Sequence, residues 1–528
     1  MEKKRHTKHK QRKRSNREKM KLKVKQIPIG TGDIRVAVMN AKDATQRDLY
    51  SEDRILIRKG KKKVIATLDI YDEELRSEDS KKKGVFVVPR GRVGLFIETQ
   101  NDLGIKDSEV VDVCVENKPR AVSLIRKKLR GEKLTNAEIK EIVDAIADGK
   151  LMDIEIAYFV AGLYVHELDI NETAALTKAM INTGEVLKFN KKVIVDKHCI
   201  GGVAGNRTTM MVVPIIAASG LTIPKTSSRS ITSAAGTADT VEVLSNVSFP
   251  IKKMKSIVNK TNGCLVWGGA VNLAPADDKI IRAEHPISLD PTCQLLASIL
   301  AKKLSVSANH ILIDIPTGKG SKIPDRKDGV KLKKKFEILA KKLGVKLIVL
   351  LTDGTQPIGN GIGPSLEARD VIWTLQDDKR GSLLLKEKSI KLAGAIFELA
   401  GKCKKGKGKK LAREILESGK AEKKFWEIIK AQEGKKVKAE KIRLAKHFYT
   451  VKTNRPGKVL HVDNNLINKF ARFAGAPHDK EAGVYLHVHK DDHVKVGDKL
   501  FTIYSDTKDR LTYSRSVCDK LRAIKISK

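Results

Sequence analysis

The sequence predicts a multidomain α/β protein: an N-terminal β-rich domain, an all-helical lobe, an α/β lobe that binds an anion, and a β-textured C-terminal domain. Three observations carry this expectation. The hydrophobic period changes along the chain from strand-like to helical, then alternates, then returns to strand-like. The strand-like run KKVIV leads into DKHCIGGVAGNRTT at residues 196–209 and on to the apolar run MMVVPIIAASG. Strand, glycine loop and helix start in that order present backbone N–H groups to an anion. Finally, 528 residues are enough for several separate cores.

Residues 1–25 are almost wholly basic and polar, the composition of a disordered arm. Over 26–116 short apolar runs (RVAVMN, RILIRKGKKKVIATLDI, GVFVVPR, VGLFI, VVDVCV) are separated by Gly, Pro and charged turns, which predicts a small β domain. Over 117–187 the period becomes helical. Thr135 and Glu138 form a capping box ahead of IKEIVDAIADG, which stops at Gly149. Asp153 is expected to cap the helix after it, and Asn171 the one after that. Over 188–440 strands (KKVIVD, CLVWGGA, HILIDIP, VKLIVLLTDG) alternate with helical stretches, so ligands are expected at the carboxyl ends of a parallel sheet. Part of this region is expected to pack with the helical lobe. Over 441–528 strand texture returns (FYTVKTN, GKVLHV, VYLHVH, KLFTIYSD), and DNNLINKFARFAGAP reads as a connecting helix.

Lys and Arg outnumber Asp and Glu by 104 to 63, a net charge of +41 that favours anionic partners: nucleic acid, nucleotides or phosphate. The lysines are spread over the whole chain, as a solvated surface would carry them. Six cysteines without a C-x-x-C pair argue against a disulfide frame or zinc site and for a reducing, cytoplasmic setting. The best apolar run, near 210–223, is too short to span a membrane and contains Pro214 and Gly220.

Two further stretches share the chemistry of the glycine loop. KTSSRSITSAAGTADTVEVL, residues 225–244, crowds hydroxyls, an arginine and Gly236-Thr237 ahead of a helical run, a second anion nest by the same logic. ISLDPTCQLLASILAKKL, residues 287–304, places one carboxylate, Asp290, at a helix start, where it is either a cap or an acid.

On DKHCIGGVAGNR, KTSSRSITSAAGTADT, VWGGAVNLAPADD, LASILAKK and TDGTQPIGNGIGPSLEA, in order from about 25 to 515, the chain resembles the thymidine/pyrimidine-nucleoside phosphorylase family. Within it, VAGNR and TSSRSIT resemble the archaeal AMP phosphorylase branch. Nucleoside-using members carry something closer to GVGDK and SGRGLGHTGGT. The resemblance implies a helical lobe, an α/β phosphate-binding lobe that it closes upon, a C-terminal α+β domain and a homodimer. The implied reaction is phosphorolysis of AMP, and also CMP and UMP, to the free base and ribose 1,5-bisphosphate. No cofactor or metal is implied, and inorganic phosphate is a co-substrate.

Position by position, the resemblance places Gly202, Ser228, Arg229, Ser230, Ile231, Thr232, Ser233, Thr237, Ser298 and Lys322 at the nucleotide. It places Lys197, Thr208 and Ser227 near the attacking phosphate, and makes Asp290 the proton donor. An acid at neutral pH must hold its proton. Burial among Leu289, Leu295 and Leu296 would raise the Asp290 pKa, while a helix start would lower it. His198 is the rival acid, with an ordinary pKa of about 6.5. Cys199 replaces the family's usual serine, and the arginine that pyrimidine-specific members use on the base is missing; Arg282 is near it but out of register.

His487, His489 and His493 form H-x-H-x3-H, read as a surface histidine cluster rather than a metal site. The alternatives are a thymidine or uridine phosphorylase, an anthranilate-type phosphoribosyltransferase, and a basic RNA-binding protein using residues 1–25. Scarce aromatics and the lack of an RNA-recognition signature argue against the last.

Overall fold

The computed structural model describes residues 19–32, 34–72, 88–230, 233–271 and 273–527. Most of the basic arm and most of GVFVVPR fall outside these residues. Compactness divides the chain into two units: residues 1–168 with 279–291, and residues 169–278 with 292–528.

The first unit begins with a closed six-stranded barrel. Its strand order is Met20–Gln26, Arg92–Leu95, Val36–Asn40, Lys62–Tyr71, Arg54–Lys59, Val110–Val115, the last closing on the first. Closure removes the exposed edges that so short a sheet would leave. The arm is therefore shorter than its composition predicts. Met20, Leu22 and Val24 point into the barrel core while Lys21 and Lys23 face solvent, a period of two hidden among lysines.

Three helices follow, Arg120–Leu129, Asn136–Ala147 and Asp153–Val165. The Thr135–Glu138 capping box forms as expected, with Thr135 N donating to Glu138 Oε2 at 2.8 Å. Asp153 is not a cap. It is the first helical residue and takes Arg282 Nη2 at 2.8 Å, while Met152 stands at the cap with its N–H on Glu155. The segment 279–291 is held in this unit by that pair and by Lys279. The Lys279 ammonium donates to the carbonyls of Ile146 and Ala147 at 3.0 and 2.9 Å, where a helix C-terminus leaves acceptors free.

The second unit opens with the helix Ile170–Asn182, capped by Asp169 rather than Asn171. Asp169 Oδ1 accepts from the N–H groups of Asn171 and Glu172, and Glu172 returns the bond to Asp169 N. A carboxylate three residues before a glutamate closes that ring, whereas Asn171 would have to do so from inside the helix.

The sheet of this unit is parallel. Lys346–Asp353, His310–Thr317 and Val195–Cys199 form one ladder, Ile223–Ser227 and Gly263–Trp267 another, and an Ile194–Thr222 bridge joins them. The Ile223–Ser227 strand is absent from the sequence reading, because IPKTS is short, contains Pro and carries a buried lysine. Chain order runs outward in both directions from the boundary between His310–Thr317 and Val195–Cys199. That boundary is the topological switch point, where ligands of such sheets gather at the carboxyl ends. Helices cover both faces. Thr208–Ala218, Pro364–Leu375 and Leu383–Leu399 build one core and Ile251–Thr261, Thr292–Leu304 and Arg326–Lys342 the other, so all eight residues of His310–Thr317 are buried.

The C-terminal part holds two small sheets with the helices Asn464–Phe473 and Lys508–Lys520, an α+β arrangement. One sheet takes in Gly361–Ile362 from the glycine-rich 355–368 stretch, which pairs with Gly483–Leu486. No described helix is long and apolar enough to cross a membrane.

Candidate active site

The two loops at the switch point touch. Gly202 ends the turn after Val195–Cys199 at φ +89°, and a Cβ there would lie 2.2 Å from Lys322 N in the loop after His310–Thr317. Only glycine allows that approach. Gly205 does the same against Gly359, whose nitrogen its Cβ would meet at 2.8 Å. The loop then enters the helix Thr208–Ala218, which after its two leading threonines is apolar all round and buried in the core.

Below the loop lies an excess of buried cations. Lys197 is 1% exposed and its ammonium donates to Thr208 Oγ1 at 2.7 Å and Thr209 Oγ1 at 3.3 Å. Burial holds its pKa below the ordinary lysine value, opposed only in part by Cys199 and Asp314. Asp196 pairs with Lys303 at 2.8 Å and more loosely with Lys225 at 3.7 Å. Burial lowers the Lys225 pKa to about 7, with Asp196 pulling the other way and Lys303 adding to the drop. Asp314 pairs with Lys388 at 3.1 Å and accepts Thr352 Oγ1 at 2.6 Å. Burial would raise the Asp314 pKa, but Lys388 and Lys197 reverse the sign and it lies below the usual value. Four lysines thus face two aspartates, a surplus of positive charge that costs free energy until an anion answers it.

His198 points into the same company. It is half-buried, and burial with Lys303, Lys225 and Lys197 pushes its pKa well below 6.5. It is therefore neutral near pH 7 and unsuited to the acid role that its ordinary pKa would allow. Cys199 accepts Asn206 Nδ2 at 3.2 Å, and burial raises its thiol to about 11, so it remains a thiol. The hydroxyl of Ser227, at the end of the neighbouring strand, is buried and has no hydrogen-bond partner among the described residues. A buried donor left unpaired at a strand's carboxyl end suits a ligand.

The Ser/Thr segment departs from expectation. Arg229 forks onto Glu242 at 2.8 and 2.6 Å, reaches Asp239 at 3.2 Å and lies over the Trp267 ring at 4.9 Å. Its guanidinium is committed inside the protein and braces the segment rather than standing open for a phosphate. Asp239 Oδ2 also takes the N–H groups of Ser230 and Gly236, each at 2.8 Å. The expected nest at Gly236-Thr237 is thus occupied by the chain's own carboxylate. Ser230 and Ser233 hydroxyls bond to backbone carbonyls within the segment. Ser228 is exposed, and Thr237 is half-buried with its hydroxyl oxygen accepting from Arg207 Nη1 at 3.0 Å. Ile231 and Thr232 lie outside the described residues.

Ser298 donates to the buried Asp277 at 2.8 Å, beside Gln294 at 3.1 Å and Lys302 at 2.9 Å on the same carboxylate. Lys322 is exposed. Asp290 is exposed as well and belongs to the 279–291 segment of the first unit, so the burial expected for it is not found. Arg282 is tied to Asp153.

Sequence reading missed three residues. Asn464, 0% exposed, accepts Ala204 N at 3.1 Å and donates to Gly354 O at 2.9 Å, and Asn468 accepts Ala234 N at 3.3 Å. DNNLINKFARFAGAP is therefore a brace for both donor loops, and asparagines four apart on one helix face behind a capping aspartate were the signal. The third is Arg207, in the quoted VAGNR motif, whose partners lie far away in sequence. His489 joins Asn360 at 2.8 Å and His487 joins Thr502 at 2.9 Å, so His489 is a structural residue rather than part of a surface cluster. Among the described residues no group of three or more His, Cys, Asp or Glu is arranged to hold a metal ion.

Comparison with known proteins agrees with this layout. Residues 122–184 match the glycosyl transferase family helical bundle domain, 191–422 the a/b domain of the same family, and 458–525 the pyrimidine nucleoside phosphorylase C-terminal domain. The chain is 44% identical over 509 residues to AMP phosphorylase 1 of Archaeoglobus fulgidus and 45% identical over 508 to the AMP phosphorylase of Pyrococcus furiosus, covering 96% of this chain and 98% of each relative. It is 42% identical over 505 residues to that of Methanocaldococcus jannaschii, covering 96% and 97%. Among solved structures, anthranilate phosphoribosyltransferase from Thermus thermophilus superposes with a TM-score of 0.51 at 19% identity, over 59% of this chain and 99% of that one, a likeness of fold.

Proposed function

The chain belongs to the AMP phosphorylase family, and from that premise we propose how its own residues carry the reaction. It phosphorolyses AMP. Phosphate attacks C1′ of the ribose, the bond from C1′ to the base breaks, and adenine and ribose 1,5-bisphosphate form. CMP and UMP are further substrates. The observation that carries this reading is the pairing of two donor-rich loops, one over a buried surplus of lysines and the other lined by hydroxyls.

The attacking phosphate takes Lys197, Thr208 and the hydroxyl of Ser227, which no described residue pairs, while Gly202 lets its loop approach Lys322 on the nucleotide side. A dianion there answers the surplus charge and raises the Lys197 pKa back toward its ordinary value. The nucleotide is held by Ser228, Thr237, Ser298 and Lys322, on a segment that the Ser230 and Ser233 hydroxyls tie together. Arg229 serves them by bracing the segment through Glu242. Asp290, exposed in the free chain, protonates a ring nitrogen of the departing base once the bound base covers its carboxyl and favours the protonated form, which makes the base a better leaving group. His198, held neutral by its lysines, takes no part as acid. The chemistry asks for no cofactor or metal, because phosphate is itself the nucleophile. The enzyme works as a homo-oligomer, with a second copy covering Ile154, Tyr158 and Val165, exposed apolar residues on the Asp153–Val165 helix at helical spacing. Light scattering that returned a monomer would remove this last element.

The test is phosphate-dependent release of base from AMP, CMP, UMP, GMP and the parent nucleosides, repeated with Asp290→Asn. Adenine leaves AMP only when phosphate is present, and the variant loses about 10²–10⁴ in kcat with KM little changed. Turnover of adenosine or thymidine but not AMP sinks the nucleotide reading. Release of diphosphate with a magnesium requirement would instead identify a phosphoribosyltransferase.

A further inference from the structure

We propose that Arg207 is a positioning residue that sets the direction of the Thr237 hydroxyl, and with it the hold on the nucleotide. The inference rests on the reading of Thr237 as a nucleotide contact.

Arg207 closes the glycine loop and its side chain is 11% exposed. Its guanidinium reaches two other segments. Nη1 donates to Thr237 Oγ1 at 3.0 Å and Nη2 to the Ala235 carbonyl at 2.8 Å, while Nε donates to Glu367 Oε2. Glu367 is 2% exposed, starts the helix Pro364–Leu375, and also accepts Thr240 Oγ1 at 2.9 Å. One planar cation thus joins the glycine loop, the Ser/Thr segment and a core helix, in a geometry that lysine's single ammonium cannot copy.

The direction of donation matters. A hydroxyl has one hydrogen. Because Arg207 donates into Thr237 Oγ1, that oxygen is the acceptor, and its own O–H makes no bond among the described residues. It is left to donate to an anionic substrate. Without the arginine no described group fixes that hydroxyl, and it turns freely. The nearby helix Thr237–Val241 cannot substitute, since the Gly236 N–H is already taken by Asp239.

The test is a double-mutant cycle of Arg207→Lys and Thr237→Val, with KM for AMP, KM for phosphate and kcat measured separately. Arg207→Lys raises KM for AMP about tenfold and moves kcat less than about threefold. In the Thr237→Val background the same change adds little, because the hydroxyl that it orients is gone. Multiplying effects, an unchanged KM for AMP, or a change confined to phosphate would each overturn the proposal. If Arg207→Lys lowers the unfolding temperature, Glu367→Gln replaces it in the cycle. That substitution keeps the shape but drops the charge, and is expected to raise KM for AMP about threefold, again only while Thr237 is present. Wild-type protein that releases no adenine from AMP is a different failure, that of the functional reading itself.

Discussion

The glycine loop and the Ser/Thr segment look alike in sequence and are opposites in charge. Both are short, rich in donors and set before a helix. The first stands over Lys197, Lys225, Lys303 and Lys388 with, among the described residues, only Asp196 and Asp314 to answer them. In the second, Arg229 is met by Glu242 and Asp239, and Glu242 also takes Lys480 at 2.8 Å. One loop is short of negative charge, and the other is neutralised within the chain. A small free dianion is held best where charge is lacking. A phosphate already fixed to a nucleoside can be held by direction, through hydroxyls on a braced frame. Donor-rich composition alone does not separate these two duties.

The comparison is broken most sharply at Lys197. Lys197→Met, similar in length but without charge, lowers kcat/KM for phosphate by about 10² or more and leaves KM for AMP within about threefold. Equal effects on both substrates, from initial rates over a grid of concentrations, would mean that the loops do not divide the work.

Asn464→Ala strikes what the loops share. It removes acceptor and donor from Ala204 N and Gly354 O, two buried backbone groups, and costs about 2 kcal/mol of stability by denaturant unfolding. Both KM values rise, because the same helix also holds Ala234 through Asn468. A rise for phosphate alone would show that the brace serves only one loop.

The smallest effect tests the surplus itself. Burial lowers the folded Lys225 pKa to about 7, against an ordinary 10.5 in the unfolded chain. Between those values the unfolded chain binds the extra proton, so stability rises with pH through that window. The Lys225 contribution is about 1 kcal/mol between pH 7 and 8. Lys225→Met removes that rise, and parallel profiles for wild type and variant would show that the lysine is not held at a cost.

Much of this was legible in sequence. The glycine loop, its place after a strand, the helical lobe and the C-terminal strands follow from local period and composition, and the motif wording carried the family. The misses share a cause. Arg229 reads as a phosphate ligand because its type suits one, yet Glu242 sits thirteen residues on and takes it. Asp290 reads as buried among Leu289, Leu295 and Leu296, yet it is exposed. Met20–Gln26 reads as part of a basic arm because its apolar residues alternate with lysines, and only pairing with Arg92–Leu95 and Val110–Val115 makes it a strand.

By itself the sequence determined the period of each element, the backbone freedom at Gly202 and Gly205, and the supply of donors and cations, since all of these are properties of neighbouring residues. Only the tertiary structure decided which charges were cancelled and which left over. Arg207 meets Glu367 across 160 positions, and Asn464 meets Ala204 across 260. Charge balance in a low-dielectric interior is set by distance in space, and chain order does not encode that distance.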